Sequence, residues 1–412
     1  MIKPWFALPS ISPVNQIAII GGGIAGCATA WRLSQAGYRV TVFEKNPAIA
    51  QAASGNPIGL IEPYLTANHN LVDQFHSAGF LLTRQVLQQL SQQGVQIWHQ
   101  LDGIAHIAHT PERRSRFQNL LDKRQLPETF AQWLEANEVS EQISITCEYP
   151  ALWLPTAGMI DPAAFCRALL GNIEVQCNTS IIAMNQNKNI WTLQDQNQKS
   201  YTASHVIIAN ANGARQLSQS QHYPIKPSPG QLSLLSPTTA SKSLRHAVCY
   251  EGYMTPAING QHIVGASYRH DPDDLDISDA DHLSQLDYLR KALPEVANSF
   301  DTTRKAARVA VRGLTPDHLP LVGPISDRQY VDEAYAKLRT GAPLKRAAYP
   351  NAEYSPNLYL NAGFGSRGLS SALLAAEILY SLISGSALPV SGALYQALHP
   401  SRFWIRQLMR RE

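Results

Sequence analysis

The 412-residue chain has no C-x-x-C pair, no long uninterrupted apolar run and no excess of charge of either sign. Its five cysteines, Cys27, Cys147, Cys166, Cys177 and Cys249, are odd in number and dispersed. That argues against a disulfide framework and against paired-cysteine zinc chemistry. It points to a reducing, cytoplasmic setting in which each thiol packs as a small hydrophobe. No stretch approaches the roughly 18 apolar residues of a spanning helix, so no membrane association is expected. The uncharged run from Pro4 to Trp31 is broken by Pro9, Pro13 and several glycines, which argues against a leader or an anchor. With 34 basic and 31 acidic residues the net charge is +3, a balance that neither requires nor forbids a nucleic-acid partner. No Ser/His/Asp arrangement, metal-ligand spacing or solenoid repeat stands out, so no metal is expected. At 44% hydrophobic and 16% charged residues the composition excludes disorder, and the length suits two or three compact units.

What the sequence does contain begins at Gln16. Gln16 to Ile20 is a β-branched run of the kind a buried parallel strand needs. Gly21, Gly23 and Gly26 follow in G-x-G-x-x-G spacing. A helical stretch to Ala36 comes next, then Arg39 to Glu44, a second apolar strand ending in a carboxylate. Strand, glycine turn, helix, strand and acid within about 30 residues make a dinucleotide-binding unit. Gly21 permits the tight turn, Gly23 the approach of a pyrophosphate, and Gly26 the close packing of helix on strand. The helix start offers N–H groups to phosphate. Glu44 accepts from ribose hydroxyls, and its charge disfavours a 2′-phosphate.

Three later segments favour FAD over NAD. Ser54, Gly55 and Asn56 lie in a loop of small residues suited to close backbone approach. Ser204 to Gly213 is another apolar strand running into a small-residue turn. Asn357 to Leu369 reads as a strand and a glycine turn (Gly363, Gly365, Ser366, Gly368) opening a helix to about Ser384, whose positive end could face a flavin ring. A nicotinamide enzyme has no need of this second glycine-rich helix start, whereas an elongated FAD does.

Leu71 to Leu90 has a helical pattern. Ile173–Cys177, Ile181–Met184 and Ile190–Leu193 read as an antiparallel ribbon, and Val248–Pro256 and His262–Arg269 flank Asn259-Gly260 as a hairpin. Residues 327–350, with Gly341 and Pro343, read as a surface excursion. The expected fold is α/β. A Rossmann-like FAD-binding domain spans 14–90, 151–225 and 326–412. An antiparallel-sheet α+β substrate domain over 91–150 and 226–325 is inserted into it, and residues 1–13 are a linker-like segment.

These motifs resemble the D-amino-acid oxidase/glycine oxidase superfamily of FAD enzymes, which implies an FAD-binding domain of the glutathione-reductase type. A narrower likeness rests on Cys249 to Pro256, Gly265 to Tyr268, Val311-Arg312, Asp317 to Gly323 and Pro400 to Arg406. These resemble the FAD-dependent C-terminal half of the bacterial tRNA 5-methylaminomethyl-2-thiouridine biosynthesis bifunctional proteins, over nearly the whole chain. The resemblance implies oxidation of the carboxymethylaminomethyl arm of tRNA wobble uridine, releasing glyoxylate and leaving 5-aminomethyl-uridine. Only 15 residues precede the FAD fingerprint, so oxidation without the methyltransferase step is the expectation, with that activity left to a separate domain or protein. Pro57-Ile58 and Glu62 depart from the family's usual residues in the loop near the flavin, which leaves substrate identity open.

Arg312 matches the superfamily position that holds the substrate carboxylate, although Arg308, four residues away, could exchange roles with it. Arg367 opens the C-terminal helix, where a cation opposes the dipole, and so points to a flavin or carboxylate ligand. The N–H groups of Gly365, Ser366 and Gly368 could stabilise charge on a reduced flavin. Tyr253 and Tyr268 either wall the pocket or are core, and His318 reads as structural. Four basic clusters could track tRNA phosphates or simply be solvated faces. They are Arg113/Arg114/Arg116, Lys123/Arg124, Lys345/Arg346 and the tail Arg402/Arg406/Arg410/Arg411, of which the tail, with Phe403 and Trp404, is the strongest. A glycine- or sarcosine-type amine oxidase and a non-catalytic FAD module remain open as alternatives.

Overall fold

Strands without polar alternation are buried on both faces, and Ile17–Ile20 and Val40–Phe43 are buried throughout. They lie inside a six-stranded sheet in the order Leu321–Pro324, Leu358–Ala362, His205–Ile208, Ile17–Ile20, Val40–Phe43, Glu174–Gln176. All neighbours run parallel except the Leu321–Pro324 edge. The computed structural model describes residues 1–410 apart from 270, 272–273, 304–305 and 341–348. The helices Ile24–Gln35 and Gly368–Ser384 pack against each other, and Leu71–Gln92 packs on the second of them. Asn70 caps Leu71–Gln92, its side chain accepting from the Val72 and Asp73 N–H groups. The architecture is α/β. Among the described residues no helix is long and apolar enough to cross a membrane.

A second sheet has eight strands in the order Ala306–Leu314, Lys226–Leu235, His262–Gly265, Tyr253–Met254, Ala247–Cys249, Ile104–Ile107, Ala151–Leu154, Gln132–Leu134. It is antiparallel except where Ala247–Cys249 runs parallel to Ile104–Ile107. The helices Asp279–Ala292 and Pro294–Ser299 bring Leu286, Leu289 and Val296 into a core with Val248 and Val264 of this sheet. Two smaller sheets complete the fold. One joins Gly59–Ile61, Gly158–Ile160 and His99–Gln100, and the other joins Ile181–Asn187, Ile190–Asp195 and Ser200–Ala203.

Several elements differ from expectation, each because a tertiary partner overrides local pattern. Glu174–Gln176 leaves the ribbon and satisfies the open edge of Val40–Phe43, with Thr41 Oγ1 donating to Glu174 Oε2 at 3.1 Å. Ser200–Ala203 takes its place in the ribbon. The Val248–Pro256 run is two strands folded back on each other around Tyr250–Gly252, the second pairing with His262–Gly265 beyond the Asn259-Gly260 turn. The partition by residue number also shifts. Ala151–Leu154 pairs within the eight-stranded sheet, and Leu321–Pro324 pairs within the six-stranded one. Residues 1–13 are not free of the body. Trp5 and Phe6 are buried, and Trp5 meets Tyr349 and Tyr335 edge-on at 5.3 and 6.0 Å.

Candidate functional site

The glycine turn is shaped by crowding on one side and space on the other. Gly21 has φ +112°, and a Cβ there would lie 2.7 Å from the Ala209 carbonyl oxygen. A Cβ on Gly26 would fall 1.9 Å from the Gly21 oxygen, so the helix rests directly on the turn. A Cβ on Gly23 would meet only Ser54 Oγ, at 3.3 Å, which leaves the floor there open. Ser54 Oγ accepts from the Ile24 N–H at 3.0 Å and so holds the small-residue loop against the helix start. Glu44 is fixed beside the turn. One oxygen accepts from the Gly22 N–H at 2.7 Å, and the other from the Asn46 backbone and side-chain N–H groups at 2.9 and 2.6 Å.

Gly23, Ser54 and Asn56 line a cavity of about 480 Å³ that continues past Gly363, Gly365, Ser366 and Gly368. Gly21, Gly26, Glu44 and Gly55 are not among its lining residues. The open floor, the helix start and the fixed carboxylate fit an elongated dinucleotide. One expected donor is already engaged: the Gly365 N–H bonds the Gly313 carbonyl at 2.8 Å, leaving those of Ser366 and Gly368 at the second helix start.

Beyond the glycines the cavity becomes cationic. Arg308 and Arg312 share one face of Ala306–Leu314 but have different surroundings. Arg308 donates to the Gln51 and Ala52 carbonyls at 3.0 and 2.6 Å and to Asn56 Oδ1, so it is bound up in holding the 51–56 loop. Arg312 donates from Nη2 to the Ser267 carbonyl at 2.5 Å, while its buried Nε has no partner among the described residues. Its guanidinium lies 3.9 Å over the Tyr268 ring. Burial pulls its pKa below the usual value, opposed by the Tyr268 and Tyr253 hydroxyls. Gly230, which sequence reasoning passed over, makes room for it, since a Cβ there would sit 1.9 Å from Arg312 Nη2. Tyr253 lines the cavity and burial pushes its hydroxyl pKa up; Tyr268 also lines it but is 57% exposed.

Arg367 also lines the cavity, but not as a free cation. Its Nη1 is 3.5 Å from Glu62 Oε1, and its guanidinium is 4.5 Å over the Tyr64 ring. Glu62 Oε2 in turn accepts from His106 Nε2 at 2.7 Å. Burial pushes the Glu62 carboxyl up, yet His106 and Arg367 together outweigh it and hold it below the ordinary value. Ligand atoms of Glu62, His106 and Cys249 lie within 4.8 Å of one another, a grouping the sequence did not lead us to expect. The guanidinium beside it opposes a further cation. Burial, aided by the Glu62 charge, keeps the Cys249 thiol protonated. Glu62 and His106 are joined by that hydrogen bond, with the protonated thiol alongside. His106 was missed in the sequence, where the only hint was a polar residue interrupting the apolar run Ile104–Ile107.

The basic clusters separate clearly. Arg402 is buried and donates to both Asp317 oxygens, from Nε at 3.0 Å and Nη2 at 2.8 Å, while Arg406 adds a contact at 2.6 Å. Trp404 stacks on Tyr223 at 4.5 Å, so the tail that was the strongest docking candidate is largely internal framework. Arg124 pairs with buried Asp73 at 2.5 Å. Arg113 and Arg116, on the helix Pro111–Arg124, line the cavity, with Arg116 exposed. Lys345, Arg346 and Arg411 lie outside the described residues, as do Gly341 and Pro343. His318 does not line the cavity; its carbonyl accepts from His76 Nε2 at 3.3 Å.

The family model for FAD-dependent oxidoreductases of the DAO type matches residues 16–382. Over 99% of its length the chain is 34% identical to the tRNA 5-methylaminomethyl-2-thiouridine biosynthesis bifunctional protein MnmC of Pseudomonas savastanoi pv. phaseolicola. The same holds for MnmC of Chromobacterium violaceum, and in each case the chain spans 62% of the relative's length. Among solved structures, glycine oxidase from Geobacillus kaustophilus superposes with a TM-score of 0.74 at 18% identity, over 94% of this chain and 99% of that one. Iminodiacetate oxidase from Chelativorans sp. gives 0.72 at 18% identity, over 93% and 98%. At that identity the likeness is one of fold.

Proposed function

The chain belongs to the DAO family of FAD-dependent oxidoreductases, and from that premise we propose that it oxidises the carboxymethylaminomethyl arm of a tRNA wobble uridine in the cytoplasm. The products are glyoxylate and 5-aminomethyl-uridine. The observation that carries this reading is the single cavity joining the glycine turn to Arg312, a half-buried arginine whose buried Nε has no partner among the described residues. An anion is what completes such a site, and the arm ends in a carboxylate.

Gly21, Gly23, Gly26, Ser54, Gly55 and Asn56 form the FAD cradle, Glu44 binds the ribose, and Gly363, Gly365, Ser366 and Gly368 form the second wall. Bound FAD supplies the hydride acceptor. Arg312 holds the carboxylate and fixes which carbon of the arm reacts, while Tyr268 and Tyr253 close the pocket around it. Ser366 and Gly368 present N–H groups at the helix start, where negative charge is stabilised. The oxidised arm is an imine, which water splits into glyoxylate and the aminomethyl group. We assign the eight-stranded sheet to a substrate domain and the six-stranded sheet to the FAD domain. Arg113 and Arg116 are the cations we assign to the tRNA backbone, because they flank the cavity and are not consumed by a buried carboxylate. The methylation that follows in the bifunctional relatives falls to a separate domain or protein.

The test is anaerobic. The flavin-loaded protein is mixed with tRNA bearing the carboxymethylaminomethyl group, or with free glycine or sarcosine, and loss of the oxidised-flavin band is followed. Bleaching by the modified tRNA, with glyoxylate formed, is the expected result. Bleaching by the free amines alone would make the protein a small-amine oxidase, and bleaching by neither would make it a binding module.

A further inference from the structure

The hydrogen-bonded pair Glu62 and His106 lines the cavity and has no task in the reading above. Glu62 follows the short strand Gly59–Ile61, whereas His106 sits on Ile104–Ile107 of the eight-stranded sheet, beside Cys249 in the parallel register. Different sheets thus bring the carboxylate and the imidazole together at 2.7 Å, and both line the cavity with Arg312. The groups facing them are Arg367, which Glu62 neutralises, the protonated thiol of Cys249, and the Arg113 and Glu251 side chains on the same cavity wall. Nε2 of His106 is committed to Glu62, while its Nδ1 has no hydrogen-bond partner among the described residues.

The substrate arm poses a problem that this arrangement answers. Its secondary amine is an ammonium at neutral pH, and hydride cannot leave the neighbouring carbon until a lone pair is restored to nitrogen. A cation docked near Arg312 also needs an anion close by. Resting on the reading above, we infer that the Glu62–His106 pair is the amine end of the cavity, and that His106 takes the ammonium proton before the arm is oxidised. The N–H bond of the ammonium breaks and its electron pair stays on nitrogen. The proton moves to His106 Nδ1, and the imidazolium so formed keeps its Nε2–H on Glu62. His106 is the catalytic residue and Glu62 its positioning residue, selecting the reactive tautomer and stabilising the charged ring. The same pair favours one substrate class: an ammonium is drawn to the carboxylate and gives up its proton readily, whereas a hydroxy acid offers only a neutral and far less acidic hydroxyl.

The experiment compares the holoenzyme with His106→Gln and Glu62→Gln across pH, following anaerobic flavin reduction by whichever substrate bleaches the wild type. In the wild type the rate should rise with pH and level off, because only a neutral imidazole can take the ammonium proton. In His106→Gln the rise should move up to the range where the free amine deprotonates unaided, with a loss on the order of 10²–10⁴ near pH 7 that high pH restores. An unshifted profile in His106→Gln overturns the inference even where the substrate assignment holds. A second readout needs no turnover: the imidazole resonance of His106, identified by its loss in His106→Gln, should titrate at lower pH in Glu62→Gln, because its anionic partner is gone. An unchanged titration overturns the pairing on which the inference stands. FAD content and melting temperature of both variants, expected near wild type, separate these outcomes from misfolding.

Discussion

Arg402 and Arg312 are both arginines drawn out of water, and they differ in what meets them there. Arg402, 1% exposed, has an internal carboxylate, Asp317, on two of its nitrogens and backbone carbonyls on the rest. Arg312 has one carbonyl, an aromatic face and an unpartnered Nε. A guanidinium whose counter-ion is part of the chain is framework, whereas one left short of acceptors in a cavity is a receptor for an anion from outside. Arg308, tied to carbonyls of the 51–56 loop, stands with Arg402.

The largest effect expected on this contrast is at Arg312. Replacing it with Met should slow flavin reduction by a factor on the order of 10²–10⁴ while leaving urea-induced unfolding nearly unchanged. An undiminished rate would break the assignment. Asp317→Asn should do the reverse, leaving the rate of the folded enzyme near wild type and costing about 2–4 kcal/mol of stability in denaturant titrations. The open edge of Asp317 places that figure toward the lower end for a broken buried pair.

The pair also has a pH signature. Burial pushes the Asp317 carboxyl up, but Arg402 and Arg406 outweigh it and hold it low in the folded protein. A depressed folded-state pKa gives stability that is present above the unfolded value of about 4 and lost as pH falls through the folded value. The acid limb of the wild-type stability curve should therefore flatten in Asp317→Asn and persist in Arg312→Met. Smaller still is Gly230→Ala, which adds one methyl where Arg312 Nη2 lies. It should raise KM about tenfold or more through displacement of the guanidinium, with FAD content unaffected.

How much of this was legible in the sequence depended on distance along the chain. The glycine turn, its strands and Glu44 lie within one short segment, where backbone demands are written locally, and so do the Leu358–Ala362 strand and the helix that follows it. The fate of the tail was not legible, because basic residues beside Phe403 and Trp404 read as a docking surface until Asp317 is found between them. Glu62 follows a strand of one sheet and His106 lies within another, and no periodicity in either segment announces the other. Glu174–Gln176 misled for the same reason: its apolar rhythm fits a ribbon, and only the open edge of Val40–Phe43 explains where it went.

The order of strands has a consequence for synthesis. Leu358–Ala362 is an internal strand of the six-stranded sheet, lying between His205–Ile208 and Leu321–Pro324, and the glycines after it complete the cavity. The fingerprint at residues 21–26 is made some 340 residues before those glycines and faces an unfinished cleft until they follow. Cofactor capture therefore waits for this strand, and a nascent or truncated chain that stops short of it carries the recognition turn without the means to retain what it recognises.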